Sequence, residues 1–126
     1  MTEAELDRWM GAYGDAYVGR DPDAGAALFA DGASYQWGPF GPLLHGPDAI
    51  RDEWARGIER MGPGEVTFRH EIVVCSPEIG VARWLASVPL PDGARSEIDG
   101  IFVVRLDGNG LCSEFREWFN SRQLAS

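Results

Sequence analysis

Apolar positions recur at helical intervals at the start of the chain. Leu6, Trp9, Met10, Tyr13 and Tyr17 form one stripe within residues 2–18, with polar residues between them. Thr2 followed by Glu5 is a capping-box pattern, in which each side chain satisfies a backbone N–H that the first helical turn leaves without a partner. A second, short helix is predicted from Asp21-Pro22, an N-cap followed by a residue suited to the first helical position. It turns Leu28 and Phe29 inward and ends at Asp31-Gly32. "ASYQW", residues 33–37, predicts a strand with Tyr35 and Trp37 on one face. "GPFGPLLHGP" then holds three Pro and three Gly in ten residues, which argues against regular structure. The third helix opens at Gly46-Pro47-Asp48 and carries Ile50, Trp54, Ile58 and Met61 on one face.

After "GPG" at 62–64 the period changes to two. "VTFRHEIVVC", "IGVARWLASV", "RSEIDGIFVVRL" and "LCSEFREWFN" follow one another, joined by the turn-rich "SPE", "PLPDG" and "DGNG". Consecutive strands with short turns predict an antiparallel meander. Helices ahead of strands predict an α+β fold, with three N-terminal helices packed on one face of a mainly antiparallel sheet in a single domain, residues 1–126. A two-residue turn at Gly108-Asn109 sets a register for the last hairpin. Leu106 then faces Leu111, Val104 faces Ser113, Phe102 faces Phe115, Gly100 faces Glu117 and Ile98 faces Phe119, all toward the helices. Glu117 thereby stands among phenylalanines, beside a space that Gly100 leaves open. Asp99, Ile101, Val103, Arg116 and Trp118 take the outer face, where Asp99 and Arg116 are diagonal neighbours and the apolar residues suit a homodimer contact.

Composition narrows the partners. Hydrophobic residues make up 44% of 126, enough for a core, and five Trp, six Phe and three Tyr are many for this length, to be shared between a core and the lining of a cavity. A formal net charge of −9 with no Lys/Arg cluster argues against nucleic acid and anionic membrane as partners. No apolar run approaches the roughly 20 residues of a membrane helix. The acidic, amphipathic "MTEAELDRWM" does not have the pattern of a signal peptide, so a cytoplasmic location is expected. Cys75 and Cys112 fall in strand-like runs without metal-site spacing and are expected to be buried, reduced thiols; no metal and no cofactor is expected.

The element order, together with "YVGRDPDAGAALFADGASY", "HGPDAIRDEW" and "DGIFVVRLDGNGLCSEFREWF", resembles the nuclear transport factor 2-like superfamily, often called SnoaL-like. The resemblance implies a curved sheet wrapped by helices into a cone around a deep, mostly apolar pocket, and frequent homodimers. Its members include ketosteroid isomerases, limonene epoxide hydrolases, scytalone dehydratases, polyketide cyclases and proteins without catalysis, so it implies the pocket more strongly than the reaction. In limonene epoxide hydrolases a Tyr-x-Asn, an Arg-x-Asp and a last-strand Asp position and activate water. Here Tyr35 is kept, Trp37 stands in place of the Asn, "ARWLAS" lacks the Arg-x-Asp, and Glu117 takes the place of the last Asp. The Asp that serves ketosteroid isomerases as base is replaced by Trp37-Gly38.

Glu117 is the first candidate acid or base; the competing reading is a structural carboxylate paired with Arg83, Arg69 or a tyrosine hydroxyl. Tyr35 is a candidate hydrogen-bond donor to a ligand oxygen. His70, on the face of Phe68 and Ile72, is either a partner for Glu117 or a core histidine. Trp37, Trp84, Tyr13, Phe102, Phe115 and Phe119 are candidate ligand-binding residues, with core packing as the alternative for each; Trp54 is assigned to the core. The expected function is a pocket for a small hydrophobic molecule. Either an acid/base enzyme (isomerase, dehydratase, cyclase or epoxide-hydrolase-like) or a non-catalytic binding module fits.

Overall fold

The computed structural model describes residues 1–125. The capping box forms at the start of α1 (Glu3–Val18): Thr2 Oγ1 accepts from the Glu5 N–H at 3.1 Å, and Glu5 Oε1 accepts from the Thr2 N–H at 3.0 Å. Leu6, Trp9, Met10 and Tyr13 bury the predicted stripe. Asp21 caps α2 (Pro22–Ala26) through the Ala24 N–H at 3.0 Å. This helix stops well before Asp31-Gly32. The Leu28 carbonyl accepts from the Cys112 N–H at 2.9 Å, and Phe29 already pairs with Cys112, so backbone pairing draws the chain into strand β1 (Phe29–Trp37). Asp31-Gly32 lies where the register of that strand shifts, between Phe29 and Ser34.

A second difference lies in the Gly/Pro loop, whose end forms a two-residue strand, β2 (Leu44–His45), paired antiparallel with Ser34 and Tyr35. Helix α3 (Gly46–Glu59) follows it, so only two of the three helices precede the first strand. The remaining strands are β3 (Thr67–Cys75), β4 (Gly80–Pro89), β5 (Arg95–Leu106) and β6 (Cys112–Leu124), and they form the predicted antiparallel meander. Strand β1 lies parallel to β6, which gives an α+β fold on one six-stranded mixed sheet of order β2-β1-β6-β5-β4-β3. Among the described residues, no helix is long and apolar enough to cross a membrane.

The last hairpin departs from the expected register in an instructive way. Its loop has three residues, Gly108 to Gly110: the Asp107 N–H donates to the Leu111 carbonyl at 2.8 Å, and Gly110 sits at φ +78°, a left-handed conformation that costs glycine little. The Asp107 carboxylate holds the loop by accepting from the Asn109 and Leu111 N–H groups at 2.8 and 3.0 Å. This loop shifts the pairing by one residue, and a bulge beside Arg105/Leu106 shifts it by another. Two shifts restore the parity. Val104 pairs with Phe115, Phe102 with Glu117, Gly100 with Phe119 and Ile98 with Ser121, yet every residue from Glu114 onward keeps its predicted face. Phe102, Val104, Phe115 and Glu117 are buried on the helix side, whereas Ile101, Val103, Arg116 and Trp118 lie outside. Near the turn the parity differs, and Cys112 is turned into the core in place of Leu111 and Ser113.

Candidate functional site

Helices α1 and α3 cover one end of the sheet and leave a cavity of about 460 Å³, within the range of small-molecule sites. The stripe of α1 contributes Tyr13 and Tyr17, one turn apart. Trp54 comes from the apolar face of α3, Tyr35 and Trp37 from alternate positions of β1, Trp84 from β4, and Glu117 and Phe119 from β6. Strand alternation alone therefore directs a carboxyl into an aromatic wall.

Glu117 is 8% exposed, with Phe102 as its neighbour on β5 and Trp37 on β1. Among the described residues no side chain makes a hydrogen bond or ion pair with its carboxyl. Burial alone pushes its pKa up to about 8 from the usual 4.5. Arg83, a partner considered from the sequence, is on the outer face, where it grips Asp99 through Nε–Oδ1 at 3.0 Å and Nη2–Oδ2 at 2.6 Å and reaches Glu71 at 3.5 Å. Asp99 is thereby paired with Arg83 rather than with Arg116, whose guanidinium lies 4.8 Å from the centre of the Trp118 ring. Arg69 is exposed and adds to the field that holds the Asp99 carboxyl low. The structural ion pair is therefore not formed.

Tyr35 is fully enclosed beside Glu117, stacked on Phe115 at 4.9 Å and 9°. Burial, and then the Glu117 charge, push the Tyr35 pKa well above its ordinary value; burial leads for Tyr13 and Tyr17 as well, and the Glu117 charge adds to both. All three phenols are neutral in ordinary buffers.

Of the residues singled out in the sequence, Glu117, Tyr35, Trp37, Trp84, Tyr13 and Phe119 meet at this cavity. Phe102 and Phe115 do not line it. They are sealed in the core behind it, 4.6 Å apart, with Phe102 stacked on Trp84. His70 does not reach it either: its Nε2 lies 2.7 Å from Asp7 Oδ1, so the ring joins the partly exposed seam between β3 and α1. Nor does Gly100 leave an open space. The Trp84 indole fills it, and a Cβ built on Gly100 would stand 2.6 Å from Trp84 Nε1 and 2.8 Å from Phe119 Cβ. The indole N–H groups of Trp37 and Trp84 are both buried without a hydrogen-bond partner among the described residues.

Sequence reasoning missed part of the wall. Tyr17 shares the α1 stripe with Tyr13, and Trp54 serves both core and cavity, so helical spacing carried that signal. Ser96 and Ser121 share their strand faces with Ile98 and Phe119, so alternation carried theirs. Glu53 and Arg60, also on the wall, lie off the apolar stripe of α3 and had no such signal. Among the described residues, no group of three or more His, Cys, Asp or Glu side chains converges as a metal site would require. Both cysteines are unpaired, with Cys112 buried and Cys75 only partly so.

The pattern of the SnoaL-like domain matches residues 10–115. No curated protein matches the chain. Many solved structures share its fold. An epoxide hydrolase/cyclase-like enzyme, SalBIII, of pyran ring formation in the polyether salinomycin superposes with a TM-score of 0.78 at 17% identity, over 94% of this chain and 92% of that one. A type 2 hexachlorocyclohexane dehydrochlorinase, LinA, gives 0.78 at 16% identity, over 98% and 88%. A hypothetical protein of ketosteroid isomerase-like fold from Catenulispora acidiphila, in complex with trimethylamine, gives 0.73 at 18% identity, over 86% and 82%. At such identities the likeness is one of fold.

Proposed function

Because this chain belongs to the SnoaL-like domain family, whose pattern spans most of its length, we propose that it is an acid/base enzyme acting on a small, largely apolar molecule held in the aromatic cavity. The observation that carries this reading is the Glu117 carboxyl, buried at the cavity wall and bonded to no other side chain among the described residues. An ordinary carboxylate is a weak base near neutrality. One pushed up to about 8 is a stronger base, and its conjugate acid forms in the same pH range, so it can take a proton at one position of a substrate and return it at another. Tyr35 supplies the second role. Burial and the Glu117 charge make its hydroxyl keep its proton, which suits it to donate to an oxygen on which charge develops. Isomerisation, dehydration, cyclisation and ring opening all require such a transfer. The epoxide hydrolase/cyclase-like enzyme and the dehydrochlorinase that share the fold support this range of chemistry by analogy only.

Exchange of α-protons of cyclohexanone in D2O, followed by proton NMR, tests this without a known substrate. The protein is expected to accelerate exchange beyond buffer, with a rate that rises with pH and levels off above about 8. Glu117→Gln keeps the shape and is expected to reduce the protein-dependent rate by about 100-fold or more. Equal exchange with both forms would contradict the proposal.

A non-catalytic binding module is the second reading. It is favoured by the absence, among the described residues, of a second acid/base side chain bonded to Glu117, His70 being taken by Asp7, and by Trp37 standing where the resemblance to limonene epoxide hydrolases implies an Asn. It predicts retention of apolar ligands with no exchange in either form.

A further inference from the structure

The wall of the cavity has an unusual electrostatic character. Seven of its residues are aromatic. Trp37 and Trp84 line it while their Nε1 atoms are sealed from solvent, so the surface these two indoles offer is ring carbon. Trp84 is stacked on both Phe68 and Phe102, at 20° and 13°, but the cavity-facing rings of α1 and α3 meet one another at steep angles. Tyr17 and Trp54 stand 6.2 Å apart at 84°, Tyr17 and Trp84 6.3 Å apart at 69°, and Tyr13 and Trp54 5.1 Å apart at 79°. Rings set this way form the sides of a box. The face of an aromatic ring carries the negative lobe of its quadrupole and attracts cations, alkylammonium groups above all.

The charges agree with this. Among the described residues Glu117 has no counter-ion, and the second carboxylate on the wall, Glu53, is held by Arg56 at 2.7 Å. The cation on the wall, Arg60, is exposed at the end of α3. A neutral apolar guest would use the rings and leave Glu117 unpaired. A hydrophobic cation would use both.

We propose that this cavity binds an organic ammonium ion, its alkylated nitrogen against the rings of Tyr17 and Trp54 and its charge met by Glu117. The proposal shares the cavity and Glu117 with the acid/base reading but requires no turnover. It couples binding to ionisation. Glu117 is protonated below about 8, so an ammonium guest must displace that proton. The other ionisable side chains on the wall are Tyr13 and Tyr17 from α1, Tyr35 from β1, and Glu53 and Arg60 at α3. The tyrosines are pushed further from neutrality by burial and by Glu117, so they keep their protons throughout.

Titration calorimetry with choline and its neutral isostere 3,3-dimethylbutan-1-ol, on the full chain, tests the proposal. At about pH 9 choline is expected to bind about tenfold or more tighter than the isostere. Its affinity should fall about tenfold for each pH unit below 8, while that of the isostere stays flat. Near neutrality the choline heat should also depend on the ionisation enthalpy of the buffer, as one proton is released. Glu117→Gln is expected to keep the isostere and lose the preference for choline, with a cooperative melt confirming that the variant is folded. No choline binding, equal binding of the two guests, or a preference that survives Glu117→Gln would each overturn the proposal. Equal binding with ketone exchange intact would leave the acid/base reading standing. Choline preference without exchange would support the proposal and remove that reading.

Discussion

Glu117 makes folding depend on pH in a direction opposite to that of most carboxylates. Burial raises its folded pKa to about 8, against an ordinary 4.5, so the folded chain holds a proton that the unfolded chain releases. Its contribution is complete below about pH 4.5, is lost as pH rises through 8, and is flat beyond. Across that window the loss is on the order of 5 kcal/mol. Glu117→Gln removes the titration, so the melting temperature of the wild type is expected to fall relative to the variant between about pH 5 and pH 9. Melting curves that stay parallel would contradict this. The inward direction of Glu117 was legible, because alternation along "FREWFN" fixes it. Its lack of a partner was not, because that depends on Arg83 finding Asp99 on a neighbouring strand. His70 shows the same limit: alternation sends it toward α1, and only the packing of α1 reveals Asp7 at the end of its reach.

At the scale of elements, faces were more legible than pairings. A face depends on parity, which two one-residue shifts leave unchanged; a pairing depends on every loop and bulge between the turn and the residue in question. Gly100 is the consequence. Counting from a two-residue turn places it beside Glu117, whereas the three-residue loop and the bulge place it beside Phe119 and beneath the Trp84 ring. The left-handed Gly110 that permits this loop is testable. Gly110→Ala is expected to cost about 1 kcal/mol in chemical denaturation, because alanine tolerates φ +78° poorly. No change in the transition midpoint would show that the loop relaxes at no cost. The end of α2 was illegible for a related reason. Leu28 and Phe29 continue an apolar helical pattern, but pairing with Cys112 makes Phe29 the start of a strand and leaves Leu28 in the turn before it.

For the whole molecule, the element order was sufficient for the family, and the family for a cavity, but composition could not say what the cavity holds. The outer sheet face carries Ile101, Val103 and Trp118 between the Arg83–Asp99 pair and Arg116, on a chain of formal charge −9. We propose that this face mediates a homodimer. Analytical ultracentrifugation at about 10 μM is expected to give twice 13.8 kDa, and Trp118→Glu about half of that dimer mass; a monomer mass for the wild type would remove the dimer. The central claim is that the fold encloses, within an aromatic box, the Glu117 carboxyl, unpaired among the described residues and ionisable. The most direct measurement is a carbon-13 NMR titration of the glutamate side-chain carboxyls, with the Glu117 resonance assigned through Glu117→Gln. Its midpoint is expected near 8, far above the 4.5 of an ordinary glutamate. A midpoint among the ordinary carboxylates, near 4.5, would mean that water or a cation reaches Glu117, and would contradict the claim.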